Sequence, residues 1–282
     1  MEKKICVVGL GGVGGLIGGA LAHNYETVYF YVRGDRLASI RDHGLKVVSN
    51  SMGEFTAYPK LASDDAVKIG VMDVVILAVK HFSLEQVCRE IKPLIGPDTV
   101  VIPLLNGANT GDKVRALLNG QWDGPLSGQG LVLDALIYII TESTSDFSVR
   151  HQNPYANIHI DVNEADPAIE KRLEELQAVF EGAGITCKIE EDIEAAVWRK
   201  YILNCAYNVI TAYYSANTAD LRSNPQAIEE FKTMLEEGCL LARTKGIQIA
   251  PNLEDQLLTH VLTKQDPAST SSLNRDFLAG RE

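Results

Sequence analysis

The segment Ile5–Gly15 reads I-C-V-V-G-L-G-G-V-G-G and constrains the fold more than any other part of the chain. A short apolar run of strand-forming residues breaks into glycines and resumes as the apolar pattern L-I-G-G-A-L-A. Gly9, Gly11 and Gly14 have the G-x-G-x-x-G spacing of a dinucleotide-binding turn. The first glycine permits the tight turn out of the strand. The second lets the backbone approach a pyrophosphate, and the third lets the helix pack closely on the sheet. Free N–H groups and the dipole at the helix start would hold the phosphates. Each glycine inside a helix costs about 1 kcal/mol relative to alanine. The segment carries several, including Gly18 and Gly19, so a close-approaching ligand is expected to offset them. The competing reading is a glycine-rich helix–sheet contact without a ligand. Lys3 and Lys4 before an apolar run also raise a secretory signal, but the glycines make a poor hydrophobic core and strand-like Thr27–Val32 follows at once.

Alternation continues through the first half, as a doubly wound sheet requires. Thr27–Val32 is strand-like, Leu37–His43 helical and Leu45–Tyr58 a hairpin. Val71–Val79 reads as a parallel strand buried on both faces. Phe82–Ile91 is helical, Pro97–Leu105 another strand, and Asn106-Gly107 a turn. Gly124–Val162 reads as β, Ala168–Gly182 as an amphipathic helix, and Cys187–Glu190 as the last strand of the sheet. From Asp192 onward strand signals vanish, and Gln265–Ser272 is a loop. The expected fold is therefore α/β: a Rossmann-type doubly wound domain over 1–191, then an all-α domain over 192–282.

A net charge of −11 argues against nucleic acid or an anionic membrane as principal partner. No run reads as a membrane span, and the expected location is the cytoplasm. Five scattered cysteines without C-x-x-C spacing, all among apolar neighbours, read as buried free thiols rather than disulfides or a metal site.

The end of the second strand, Y-V-R-G-D-R, decides the dinucleotide. Arg33 stands where an NAD-binding carboxylate would be, with Arg36 close behind, and a guanidinium matches a 2′-phosphate. NADP(H) is the expected cofactor. Asp35 in the following loop, or two merely solvated arginines, are the competing readings.

A second feature is Val197–Tyr214, where Lys200, Asn204 and Asn208 recur every four residues and share one helix face. The surrounding residues, Tyr201–Ile210, are otherwise apolar, so the helix is expected to be buried nearly all round. A buried lysine and two carboxamides need partners. These could be backbone groups of the neighbouring domain, the stripe itself, or a polar anionic ligand in an interdomain cleft.

Together these residues resemble the ketopantoate reductases (2-dehydropantoate 2-reductases). The resemblance rests on G-L-G-G-V-G, A-V-K (Ala78–Lys80), L-N-G (Leu105–Gly107) and W-R-K-x-x-x-N-C-x-x-N (Trp198–Asn208). It also rests on Ser271-Ser272 followed by D-F-L-A-G-R. It implies NADPH-dependent reduction of 2-dehydropantoate to (R)-pantoate, a step towards pantothenate and coenzyme A. Carried over, Lys200 is the catalytic proton donor, and Asn204, Asn208, Ser272 and Asn106 bind substrate. Gly9, Leu10, Gly11, Gly12, Val13, Gly14, Arg33, Lys80 and Asn106 then bind the cofactor, with no metal. Lysine starts protonated, and partial burial would lower its pKa and ease transfer to the alkoxide. The resemblance is compatible with a homodimer.

Two departures stand out. Relatives place a third Asn about ten residues beyond the second helix Asn, where this chain has Asn217-Thr218. The family's acid in T-E-(I/L)-D follows A-G-R, whereas Glu282 falls short of it by register, so the helical domain is expected to be truncated. The alternatives are an NADP-dependent reductase of another 2-keto or 3-hydroxy acid, or a non-catalytic NADPH sensor.

Overall fold

The computed structural model describes residues 3–118, 130–161 and 166–280. By its contacts the chain forms two compact units, Met1–Ile193 and Glu194–Glu282.

The first unit is built on parallel strands β1 (Ile5–Val8), β2 (Val28–Tyr31), β5 (Leu61–Ser63), β6 (Val74–Leu77), β7 (Val100–Pro103) and β8 (Leu131–Val132), in the order β5-β2-β1-β6-β7-β8. Alternate residues supply two separate cores. Ile5 and Val7 face one side with Leu16, Ile17 and Leu21 of α1 (Gly12–Asn24). Cys6 and Val8 face the other with Val87, Cys88 and Val114 of α4 (Leu84–Glu90) and α5 (Thr110–Leu118). Helix α2 (Gly34–His43) adds Leu37 and Ile40 to the first core, and α3 (Ala66–Ile69) adds Ala66 and Ile69 to the second. Burial on both faces is why β1, β2, β6 and β7 read as continuous apolar runs rather than alternating ones.

Two further sheets stand beside it. The hairpin β3 (Leu45–Ser49) and β4 (Gly53–Ala57) joins β10 (Thr141–Ser143) and β11 (Val149–His151) in the order β10-β11-β3-β4. Strands β9 (Asp134–Tyr138), β12 (Asn157–Asp161) and β13 (Thr186–Ile189) form the third, with β12 central. The Cys187–Glu190 strand was expected in the main sheet, but it belongs to this separate sheet. There Cys187 pairs with Ile158, and α6 (Pro167–Gly182) packs across it. Part of the Gly124–Val162 β region lies outside the described residues.

The second unit is helical: α7 (Ile193–Tyr213), α8 (Thr218–Ser223), α9 (Pro225–Thr244), α10 (Leu253–Thr263) and α11 (Ser272–Leu278). Polar bonds tie its pieces together. Thr211 Oγ1 donates to Ser271 Oγ at 2.7 Å, and Tyr207 Oη lies 2.6 Å from Thr218 Oγ1. Among the described residues no helix is long and apolar enough to cross a membrane.

Candidate active site

The glycine turn connects β1 to α1. Gly9 has φ +87°, a conformation open to glycine at little steric cost. A Cβ there would lie 2.6 Å from Val79 Cγ1, and one at Gly14 would lie 1.9 Å from the Gly9 carbonyl oxygen and 2.8 Å from Ala78 Cβ. Both glycines are therefore demanded by packing between the turn, the helix and the A-V-K segment. Gly11, the N-cap of α1, differs, because a Cβ there would meet nothing within 4 Å. Open space beside the middle glycine is what a pyrophosphate at this turn needs, so the cradle fits a dinucleotide.

The other helical glycines have a different cause from the expected one. A Cβ at Gly12 would sit 2.8 Å from Thr141 Oγ1, at Gly15 2.4 Å from Val149 Cγ2, and at Gly19 2.6 Å from Val47 Cγ2. Helix α1 is pressed between the six-stranded and four-stranded sheets. The helix–sheet contact explains why a side chain is missing at these three.

The topology gathers the remaining cofactor-site candidates. Strand order reverses between β1 and β6, and ligands in open α/β sheets bind beyond the carboxyl ends of strands at such a point. Gly9–Gly14 follow β1, Arg33 follows β2, Lys80 follows β6 and Asn106 follows β7, all on one edge because these strands are parallel. Backbone bonds fix these exits: Gly9 N–H donates to the Tyr31 carbonyl at 3.2 Å, and Ala78 N–H to that of Val8 at 2.9 Å. Lys80 and Asn106 are exposed, and Val13 is partly buried. Arg33 is an exposed N-cap of α2, with Nη1 3.6 Å from Glu90 Oε1.

Sequence reasoning missed a basic pair on this edge. His81 Nε2 and Lys113 Nζ lie 3.1 Å apart, and burial together with the Lys113 charge lowers the His81 pKa. Only strand order brings residues 32 positions apart together here, so no local pattern could have signalled it.

In the helical unit, Lys200, Asn204 and Asn208 lie on α7 at intermediate burial. Burial pushes the Lys200 ammonium down from the ordinary 10.5 to about 8. The helix is not buried all round, as its sequence suggested. Cys205 is exposed, Val209 is 52% exposed and Tyr213 77%. The buried side carries Trp198, Ile202, Ala206 and Ile210, so the apolar composition hides an ordinary two-faced helix. Cys205 likewise departs from the buried-thiol expectation, whereas Cys6, Cys88, Cys187 and Cys239 are buried and unpaired.

The serine pair divides. Ser271 is buried, caps α11 and bonds Thr211, while Ser272 is exposed one residue further on. The third-Asn position also resolves. Asn217 forms a capping box with Asp220 at the start of α8, and Thr218 is buried against Tyr207 and Ser269. Both candidates are thus engaged in structure. Arg281 and Glu282, which bear on the terminal acid, lie outside the described residues.

Residues 5–164 match the family described as Ketopantoate reductase PanE/ApbA, and residues 192–282 match its C-terminal counterpart. The chain belongs to the ketopantoate reductase family. Its relatives include an uncharacterized oxidoreductase, YkpB, of Bacillus subtilis (strain 168). That protein is 29% identical over 99% of this chain and 87% of its own length. The crystal structure of a PanE/ApbA family ketopantoate reductase from Ralstonia eutropha JMP134 is similar at a TM-score of 0.82. It is 25% identical, over 99% of this chain and 86% of that one. A D-mandelate dehydrogenase solved with NADH and anilino(oxo)acetate shares the fold at a TM-score of 0.83. Identity there is only 19%, over 98% of this chain and 85% of that one. Family membership makes the chain an oxidoreductase of ketopantoate reductase type.

Proposed function

We propose that this protein reduces 2-dehydropantoate to (R)-pantoate with NADPH, serving pantothenate and coenzyme A synthesis. The observation that carries the reading is Lys200. It is a lysine in line with two carboxamides on α7, and its pKa is lowered by burial to about 8. The family match over both units supports the substrate class. The dinucleotide-binding unit would be residues 1–191 and the substrate unit 192–282.

NADPH, when bound, supplies the hydride for the C2 carbonyl. Gly9, Leu10, Gly11, Gly12, Val13 and Gly14 would form the phosphate turn, with Lys80 and Asn106 at the exits of neighbouring strands. Arg33 would answer the 2′-phosphate, because its guanidinium is exposed and its Glu90 contact is a long ion pair that contributes little. Lys200 would donate its proton to the carbonyl oxygen as negative charge grows there, and its cation would stabilise that charge beforehand. At neutral pH an ammonium with pKa about 8 is still mostly protonated, yet closer to the operating pH than an ordinary lysine. Asn204, Asn208 and Ser272 would orient the carboxylate and hydroxyl through neutral donors. Asn106 would serve both cofactor and substrate.

A specific observation favours a second reading, reduction of another 2-oxo acid. Asn217 Oδ1 caps α8 and Thr218 is buried against Ser269, which argues against either serving as the hydroxyl partner that relatives place near here. The fold does not decide the acyl group, since a D-mandelate dehydrogenase shares it. Steady-state NADPH oxidation with 2-dehydropantoate, pyruvate-like and branched 2-oxo acids tests both readings. A preference for 2-dehydropantoate in kcat/KM is expected, and a preference for any other acid transfers the assignment to the second reading.

A further inference from the structure

Arg36 stands three residues after Arg33 and carries the same charge, yet its surroundings are different. From the first turn of α2 its Nη1 donates to the Leu10 carbonyl at 2.5 Å, inside the glycine turn. The same nitrogen lies 3.4 Å from the Phe147 carbonyl, and Nη2 donates to Ser143 Oγ. The guanidinium carbon sits 5.1 Å from the centre of the Phe147 ring, within cation–π range. Phe147 itself has φ +63° in the loop between β10 and β11.

These contacts join three pieces distant in sequence. Leu10 lies between the two glycines that lead into α1. Ser143 ends β10, whose Thr141 packs against Gly12 at the helix start. The donors on both terminal nitrogens point into protein, and one face of the plane is covered by Phe147. A bidentate grip on a phosphate would need those same paired donors.

We infer that Arg36 is a positioning residue that fixes the glycine turn by clasping the Leu10 carbonyl to the β10–β11 hairpin, and does not select the 2′-phosphate. The inference rests on the reading that this turn takes a dinucleotide. With Leu10 held, the peptide plane before Gly11 is fixed, and so is the direction of the Gly11 N–H that a pyrophosphate would meet. A cation beside the turn also favours the diphosphate common to both dinucleotides. Burial lowers the guanidinium pKa, in keeping with an enclosed group rather than a solvated one.

The test is fluorescence titration of the full chain with NADPH and with NADH, for wild type, Arg36→Ala, Arg36→Lys and Ser143→Ala. Arg36→Ala is expected to weaken both dinucleotides by a common factor of about tenfold, the scale of one charge-assisted hydrogen bond. The NADPH:NADH ratio and kcat at saturating cofactor should stay unchanged. Arg36→Lys should not restore affinity, because an ammonium cannot span Leu10, Ser143 and Phe147 together. Ser143→Ala removes one of the bonds and should shift both affinities in the same direction by less. Loss of NADPH affinity alone in Arg36→Ala would overturn the inference and make Arg36 a 2′-phosphate ligand. Unchanged affinity for both would overturn it as well. If Arg36→Ala does not fold, Ser143→Ala decides by the same criterion. Wild-type protein that binds neither dinucleotide would remove the underlying reading, and is distinguishable because it fails before any variant is compared.

Discussion

Adding one methyl group at each of two glycines of the same turn should separate folding from cofactor binding. At Gly14 the new Cβ would sit 1.9 Å from the Gly9 carbonyl oxygen, inside any tolerable contact. Neither side yields cheaply: Gly9 is held at φ +87°, and Ala78 Cβ blocks the other direction at 2.8 Å. Overpacking of this kind costs about 1–3 kcal/mol, and backbone as the obstacle puts it at the upper end, about 3 kcal/mol. At roughly 2–4 °C per kcal/mol for a unit of this size, Gly14→Ala should lower Tm by about 6–12 °C. Gly11 has φ −68° and ψ −156°, accessible to alanine, with no atom within 4 Å of its Cβ position. Losing glycine at an N-cap costs about 0.5–1 kcal/mol, offset by about 0.4–1 kcal/mol from a less flexible unfolded chain. Gly11→Ala should therefore melt within about 2 °C of wild type. Yet its methyl would occupy the phosphate approach and weaken NADPH about tenfold or more. Thermal melts of the ligand-free protein and NADPH titration read the two effects separately. Wild-type NADPH affinity in Gly11→Ala would refute the placement of the cofactor, and an unshifted Tm in Gly14→Ala would refute the packing argument.

Further outcomes follow from other parts of the molecule. Arg33→Ala should lower NADPH affinity while sparing NADH, measured as the ratio of the two Kd values; equal loss would contradict a 2′-phosphate role. Native protein should expose one fast-reacting thiol, Cys205, to a maleimide. Burial pushes Cys6, Cys88 and Cys187 up to about 12 and Cys239 to about 11, so these four should react only on unfolding. Asn217→Ala should cost about 1 kcal/mol through loss of the α8 cap, with KM for the 2-oxo acid unchanged; a raised KM would return Asn217 to the substrate site. With the ammonium of Lys200 as the proposed proton donor, kcat should be level below about pH 8 and fall tenfold per unit above it. The unfolded chain keeps that proton up to the ordinary 10.5, so this group makes stability rise with pH between about 8 and 10.5.

Much of the fold was legible because local chemistry and tertiary need agree at its main features. The apolar runs at Val28–Tyr31 and Val74–Leu77 are strands buried on both faces, and the glycines between β1 and α1 admit few alternatives. What could not be read depended on contacts distant in sequence. Cys187–Glu190 is a strand by composition, but only its pairing with Ile158 assigns it to a separate sheet. The glycines at 12, 15 and 19 make room for Thr141, Val149 and Val47, residues of a second sheet that no local pattern announces. The sequence puts Arg33 at the strand end with Arg36 close behind, and only the Leu10 carbonyl and Phe147 beside Arg36 show how differently the two are placed. Helix α7 misled for a simpler reason: Val209 and Tyr213 are apolar or aromatic residues on an exposed face, and hydrophobicity alone does not say which face is covered.

The most direct test of the proposed chemistry is Lys200→Ala in parallel turnover and binding assays. The account predicts that kcat for NADPH oxidation with 2-dehydropantoate falls about 10²- to 10⁴-fold, while NADPH affinity is retained. A variant that turns over at the wild-type rate, or wild-type protein that oxidises no NADPH with any 2-oxo acid, would contradict it.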